Sequence, residues 1–237
     1  MDLIISTYIE TLKSAPVQRS AEWYDIRKKT FGGSEMSTIL GNNPFNNIKS
    51  LIAEKVGINK FNGNLATRWG TIFEDVTCTY TRHILKMDNK IHEVGSVEGY
   101  FNRQRYSPDG LGAVKLLDCD DAITEYIILF EFKSPSGSLP NKKIPTHYVP
   151  QIQTGLLSIP IADYAIFVNN AYRKCKLSDI KTNGYDMEFH KADINKRKNG
   201  LVNEIPYAYG TICFYSSNDT NFINILAELT ESTDHID

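Results

Sequence analysis

The sequence predicts a mixed α/β (α+β) fold, with helices packed on a central mixed sheet. Three observations predict it. Apolar residues recur at helical spacing through the first third of the chain. From Ile91 onward the pattern changes to strand-like runs bounded by Gly, Pro and Asp. A helical stretch after Pro145 then lies between two strongly apolar strand-like runs, 126–133 and 164–168.

Taken in order, residues 1–20 read as a short first helix. Residues 21–29 form a helix carrying Trp23, Ile26 and Arg27, and Gly32-Gly33 ends it. Ser34 sits where an N-cap belongs, ahead of a short amphipathic run with Met36, Ile39 and Leu40. Gly41-Asn42-Asn43-Pro44 breaks that run. Residues 47–56 suggest a helix with Ile48, Leu51, Ile52 and Val56 on one face. The longest helical candidate is 66–85, where Trp69, Ile72, Phe73, Val76 and Tyr80 face the core and Glu74 lies beside the stripe. Strands are expected at 91–97, 100–106 and 126–133, a helix at 147–158 and a buried strand at 164–168. Past Lys176 the signals weaken to a strand at 209–215 and a final helix at 221–229.

At 237 residues, 41% apolar and 23% charged, the chain fits one fairly large soluble domain over 1–237. No apolar run approaches the roughly 20 residues that span a bilayer. Asp2, Glu10, Lys13 and Arg19 make the N-terminus unlike a secretory signal. A cytoplasmic, non-secreted protein without a membrane partner is therefore expected. The four cysteines, Cys78, Cys119, Cys175 and Cys213, form no C-x-x-C pair. Free thiols in a reducing compartment suit them better than a zinc site or a disulfide framework. A net charge of −2 does not advertise a nucleic-acid binder. Basic groups do occur at Arg27-Lys28-Lys29, 103–105, Lys142-Lys143, 173–176 and 196–198, though each alone reads as solvated surface charge.

The run 126–133 is the most informative. Side chains alternate along a strand, so Ile127, Leu129, Glu131 and Lys133 share one face, and Ile128, Phe130 and Phe132 the other. Both faces begin apolar, which marks a strand buried on both sides. A carboxylate and an ammonium at its end need compensation. A divalent cation provides it, and so does a simple Glu–Lys pair where the sheet meets water; on this strand alone the two readings are equal. Ser107-Pro108-Asp109-Gly110 shifts the balance. Its turn places Asp109 at a strand end, where a hairpin returns it beside Glu131. Two carboxylates and a lysine suit metal-assisted phosphodiester hydrolysis, with Mg²⁺ as a hard, oxygen-seeking cation.

Asp, a variable gap, then Glu-x-Lys is the signature of the PD-(D/E)xK nucleases, and the chain resembles that superfamily. More narrowly it resembles the lambda exonuclease or YqaJ-type viral recombinase family, including the lambda-type exonucleases of African swine fever virus and other large DNA viruses. The matching blocks are Trp23-Tyr24-Asp25-Ile26-Arg27, Gly33-Ser34-Glu35, Trp69-Gly70 with Glu74, Ser107-Pro108-Asp109-Gly110, Glu131-Phe132-Lys133 and Gln151-Ile152-Gln153. Gly41-Asn42-Asn43-Pro44-Phe45 and 150–155 support the narrower placement, and the resemblance covers about 15–175.

The resemblance implies a restriction-endonuclease-like core and a Mg²⁺-dependent 5′→3′ exonuclease on duplex DNA ends, with Mn²⁺ as a substitute and two ions. Asp109, Glu131, the Phe132 carbonyl and Glu74 become metal ligands, and Lys133 the catalytic lysine. Arg27, Ser34 and Gln153 become the 5′-phosphate and DNA contacts. It further implies action in the host cytoplasm or at a viral replication site, a single-strand annealing protein as partner, and a homo-oligomer. Trp23 and Trp69 read as core packing. Two departures stand out. The gap between Asp109 and Glu131 is long and holds Asp118, Asp120 and Asp121, which extend a hairpin or add metal ligands. The family's upstream acid aligns with Gly99, with Glu98 beside it. Competing readings are an endonuclease or RNA-degrading nuclease on the same fold, and a non-catalytic DNA-end-binding module.

Overall fold

The structure, a computed structural model, describes residues 1–12, 15–59, 63–117, 123–137, 143–174 and 206–215. The N-terminal half is helical: α1 (Asp2–Thr11), α2 (Ala21–Lys29), α3 (Met36–Ile39), α4 (Ile48–Lys55) and α5 (Leu65–Ile84). Short strands β1 (Phe31–Gly32), β2 (Val97–Glu98) and β3 (Gln104–Tyr106) form a small sheet in the order β1-β3-β2. The central sheet runs β4-β5-β6-β7, from β4 (Gly110–Leu117), β5 (Ile123–Lys133), β6 (Tyr164–Lys174) and β7 (Pro206–Tyr215), with α6 (Val149–Ser158) between β5 and β6. It is mixed, as expected: β5 pairs antiparallel with β4 and parallel with β6, and β7 is antiparallel to β6. Among the described residues no helix is long and apolar enough to cross a membrane.

Both faces of β5 are buried. Ile127 and Leu129 meet Ile5 of α1 and Ile152 of α6, while Ile128, Phe130 and Phe132 pack with Val114 and Ile166, against Cys78 of α5. The alternation predicted for this strand is thus met on both sides. Long helix α5 is present, but its buried stripe is Trp69, Phe73, Thr77 and Thr81, and Ile72, Val76 and Tyr80 are exposed. The threonines tolerate burial because Thr77 and Thr81 donate to the carbonyls four residues back, at 2.8 and 2.7 Å. On α4 only Leu51 of the predicted apolar face is buried.

Other expectations need correction. Ser34 is not an N-cap: it lies inside a single 3₁₀ turn, Gly33–Glu35, that leads directly into α3. Leu40 is exposed, and Ser37 and Thr38 are the buried residues there. The expected strand at 100–106 shrinks to β3 because Arg103 adopts a left-handed φ of 61°, which breaks an extended run. Asp118, Cys119, Asp120, Asp121, Lys142, Cys175, 196–198 and the helix expected at 221–229 lie outside the described residues. Cys78 is a half-buried free thiol.

Candidate active site

The β4–β5 register pairs Gly110 with Phe130. Continuing that antiparallel ladder by one residue sets Asp109 opposite Glu131, as the turn in Ser107-Pro108-Asp109-Gly110 predicts. Asp109 Oδ2 accepts the Phe132 N–H at 2.7 Å. Glu131 is 1% exposed and accepts hydrogen bonds from three neighbours. The Lys133 ammonium and the Gln151 amide donate to Oε1, and the Tyr106 hydroxyl donates to Oε2 at 2.9 Å. A buried carboxylate is tolerated only with such satisfaction.

Tyr106 reaches Glu131 by passing between two glycines. A Cβ on Gly33 would lie 2.4 Å from Tyr106 Cδ2, and one on Gly155 would lie 2.7 Å from the Tyr106 hydroxyl. This close approach gives Gly33, in Gly33-Ser34-Glu35, a physical reason. From the other side, Trp23 Nε1–H donates to Ser107 Oγ at 3.0 Å, which ties α2 to the segment carrying Asp109. Trp23 and Trp69 are both buried, as expected.

The charges interact strongly. Burial and then the Glu131 charge push the Asp109 carboxyl well above the usual carboxylate range; Glu74 adds to the push, and Lys133 and the Phe132 N–H only partly oppose it. Burial works against the Lys133 ammonium, but Glu131 and Asp109 outweigh it and hold Lys133 above its ordinary value. The Tyr106 hydroxyl is raised by burial and then by the same two carboxylates, so it remains a donor. Burial, followed by Lys133, lowers His147.

A cleft of about 1140 Å³ opens over this cluster and runs to the end of α2. Glu74 and Asn169 line it, and so do Arg27 and Ser34. Glu74 comes from α5, one residue past buried Phe73, whose ring stacks on Tyr172 at 4.3 Å. Its carboxylate pairs with Arg19 at 2.6 Å. At the far end the Arg27 guanidinium stands 3.4 Å from Ser34 Oγ and 3.2 Å from Glu35 Oε1, over the Trp23 ring at 4.8 Å. Glu35 also binds Lys55 at 2.7 Å and accepts the Gly32 N–H at 2.9 Å.

Thus Asp109, Glu131, Phe132, Lys133, Glu74, Arg27 and Ser34 come together on one cleft. Gln153 does not: its side chain is exposed and away from the cleft wall, and Gln151 faces inward to Glu131 instead. Residues two apart on a helix point to nearly opposite sides, so one helix cannot present both. Glu98 also lies off the cleft, 3.7 Å from Arg105 with its side chain 89% exposed.

Residues 22–160 match the YqaJ-like viral recombinase domain family. The chain belongs to that family. All the candidate site residues from Arg27 to Gln153 fall inside the matched span. Two African swine fever virus proteins, both called "Protein D345L", from the Badajoz strain and from a Malawi tick isolate, are 30% and 31% identical to it. Each alignment covers 91% of this chain and 65% of the relative, so the chain spans about 65% of the length of the relatives it matches. Among solved structures it is similar to the alkaline exonuclease LHK-Exo of Laribacter hongkongensis, at 16% identity and a TM-score of 0.49 over 91% of each chain. LHK-Exo in complex with dAMP gives 18% identity and a TM-score of 0.48, covering 91% of this chain and 95% of that one.

Several site members of this YqaJ-like domain escape sequence reading. Tyr106 looks like an ordinary strand aromatic, and Arg19 lies in a stretch without periodicity. Gln151 had a signal: a glutamine inside the otherwise buried face of α6 needs a buried partner.

Proposed function

We propose that this chain hydrolyses DNA phosphodiester bonds as a metal-dependent 5′→3′ exonuclease on duplex ends, leaving 3′ single-stranded tails for viral DNA recombination, repair or end processing. The observation that carries this reading is the shared cleft: the acid pair Asp109–Glu131 with Lys133 at one end, Arg27 with Ser34 at the other.

The donor set fits a hard divalent cation, Mg²⁺ with Mn²⁺ as a substitute. Asp109 and Glu131 share the site with the ammonium of Lys133, which binds Glu131, and burial and the Glu131 charge push the Asp109 carboxyl well above its ordinary range. A cation relieves that repulsion. Among the described residues no three His, Cys, Asp or Glu side chains are gathered as a metal cage; Asp109, Glu131 and Glu74 line an open cleft, with room for water and phosphate. Asp109, Glu131 and the Phe132 carbonyl would hold the ion. Glu74 would join a second ion once it leaves Arg19. When bound, the metal supplies charge stabilisation on the phosphate and a more acidic water. The protein's own groups do the rest. Tyr106 and Gln151 fix the Glu131 carboxylate. Lys133 places a positive charge where negative charge develops on the phosphate. Arg27 and Ser34 take the terminal 5′-phosphate through charge-assisted hydrogen bonds.

The test is digestion of linear duplexes with and without a 5′-phosphate, beside covalently closed circles and structured RNA. Faster loss of 5′-phosphorylated linear duplex is expected. Lys133→Ala should lower the rate by roughly 10²–10³-fold or more while DNA binding, read by anisotropy, persists. Release from the 3′ end, equal cutting of circles or RNA, or an undiminished Lys133→Ala protein would overturn the reading.

A further inference from the structure

We infer that Asn169 on β6 holds the attacking water for Lys133, a role that rests on the nuclease reading above. Asn169 pairs with Lys133 in the parallel β5–β6 register. Paired residues of neighbouring strands share a face, so Asn169 stands on the Glu131–Lys133 side of the sheet. It lines the same cleft and is only 7% exposed. Its Oδ1 is shielded from solvent and, among the described residues, has no hydrogen-bond partner. The ammonium of Lys133, its partner in the strand register, donates to Glu131.

A buried acceptor without a donor destabilises a fold and calls for a reason. Here the reason is a ligand that brings a hydrogen. Phosphodiester oxygens carry none at neutral pH, and neither do ionised carboxylates. Water carries two. The attacking water gives one proton to bulk solvent. The hydroxide keeps one hydrogen for the Asn169 amide oxygen and a lone pair for the Lys133 ammonium, so the two side chains orient it with a further lone pair free for phosphorus. The neighbouring Asn170 also leaves Oδ1 unpartnered, but it alternates to the other face and does not line the cleft. Asn169 lies beyond residues 22–160 of the family match.

Asn169→Leu separates this role from a structural one, because removing an unsatisfied buried acceptor by a side chain of similar size leaves stability unchanged or raises it. The expected result is an equal or higher Tm, unchanged KM and DNA affinity, and kcat lowered roughly 10-fold or more, below the loss for a full charge-stabilising group. Asn169→Ala repeats the test without added bulk. Unchanged kcat in either folded variant overturns the assignment. So does a lower Tm in both, which makes Asn169 structural, or a raised half-saturating Mg²⁺ concentration, which makes it a cation ligand. A wild type that cuts no DNA fails the nuclease reading itself, and that outcome is distinct from an active wild type with kcat intact in Asn169→Leu.

Discussion

At the acidic end of the cleft Glu131 is almost fully buried and takes hydrogen bonds from three neighbours. At the basic end the Arg27 side chain is 37% exposed, and it is steadied by Glu35 and by the Trp23 ring. One end is built on paired strands and a close-packed tyrosine, the other on a helix end and a single 3₁₀ turn. Charge inside a dry, packed region is set by its immediate partners, whereas charge at the surface is screened. Changes of one atom should therefore damage the acidic end as both fold and catalyst. Changes at the basic end should alter which DNA end is chosen and little else.

Gly155→Ala breaks the comparison hardest. Its new Cβ would lie 2.5 Å from Leu129 Cδ2 and 2.6 Å from Tyr106 Cζ, and both residues are buried with no room to withdraw. Overpacking of this kind costs about 1–3 kcal/mol, a fall of several degrees in Tm for a chain of this size. Activity should drop with it as Tyr106 is pushed off Glu131. Tyr106→Phe, which keeps the packing and loses only the donor, should reduce activity with a smaller change in Tm. Thermal melts and initial rates on the two variants check this. A Gly155→Ala protein with wild-type melting would show that the acidic end is looser than its packing implies.

Arg27→Ala tests the other end. Loss of a charged hydrogen bond to phosphate is worth about 1.5–3 kcal/mol, so the preference for 5′-phosphorylated over 5′-hydroxyl ends should fall roughly tenfold or more. Melting should stay within about 0.5 kcal/mol of wild type, as for an exposed side chain. In the wild type the preference should also shrink as salt rises, because the guanidinium is half-exposed. Competition between the two duplexes at low and high salt measures both. A large loss of stability in Arg27→Ala would make the arginine a structural tie through Glu35 rather than a phosphate contact.

Legibility in the sequence follows the same division. The inner part of β5 could be read directly, because residues 126–133, with apolar side chains on both faces and Glu-x-Lys at one end, admit few other structures; the structure extends the strand back to Ile123. Asp109 followed from its turn. The partners of Glu131 were harder. Tyr106 is identified only by two glycines, Gly33 and Gly155, that come from distant parts of the chain. Gln151 and Gln153 are the same residue type two positions apart, and motif matching took the outward one. Only the helix phase, set when α6 packs on β5 and β6, decides between them. On α5 the hydrophobic period pointed to Ile72, Val76 and Tyr80, but threonines bonded back to their own helix took the buried positions. Periodicity reads apolarity, and here a polar side chain satisfied by its own backbone was as easy to bury.

The smallest effect is a pH slope that belongs to the acidic end alone. In the folded chain the Asp109 carboxyl is raised well above its ordinary value by burial and by Glu131, whereas in the unfolded chain it titrates normally. The folded state therefore holds that proton more tightly. Its stabilising contribution is present at low pH and is lost as pH rises from the ordinary carboxylate range through the raised value. In the presence of a chelator, wild-type Tm should thus decline as pH rises above the ordinary carboxylate range, and Asp109→Asn should flatten the decline. Added Mg²⁺ competes with the same proton, so its stabilising effect should grow with pH in the wild type and disappear in Asp109→Asn. Arg27→Ala should leave both behaviours intact, because no titration of Asp109 is felt at the basic end. Melts of the three proteins across that range, with chelator or Mg²⁺, measure it. A decline that survives Asp109→Asn would place the shifted proton on another group and remove Asp109 from the centre of the acidic end.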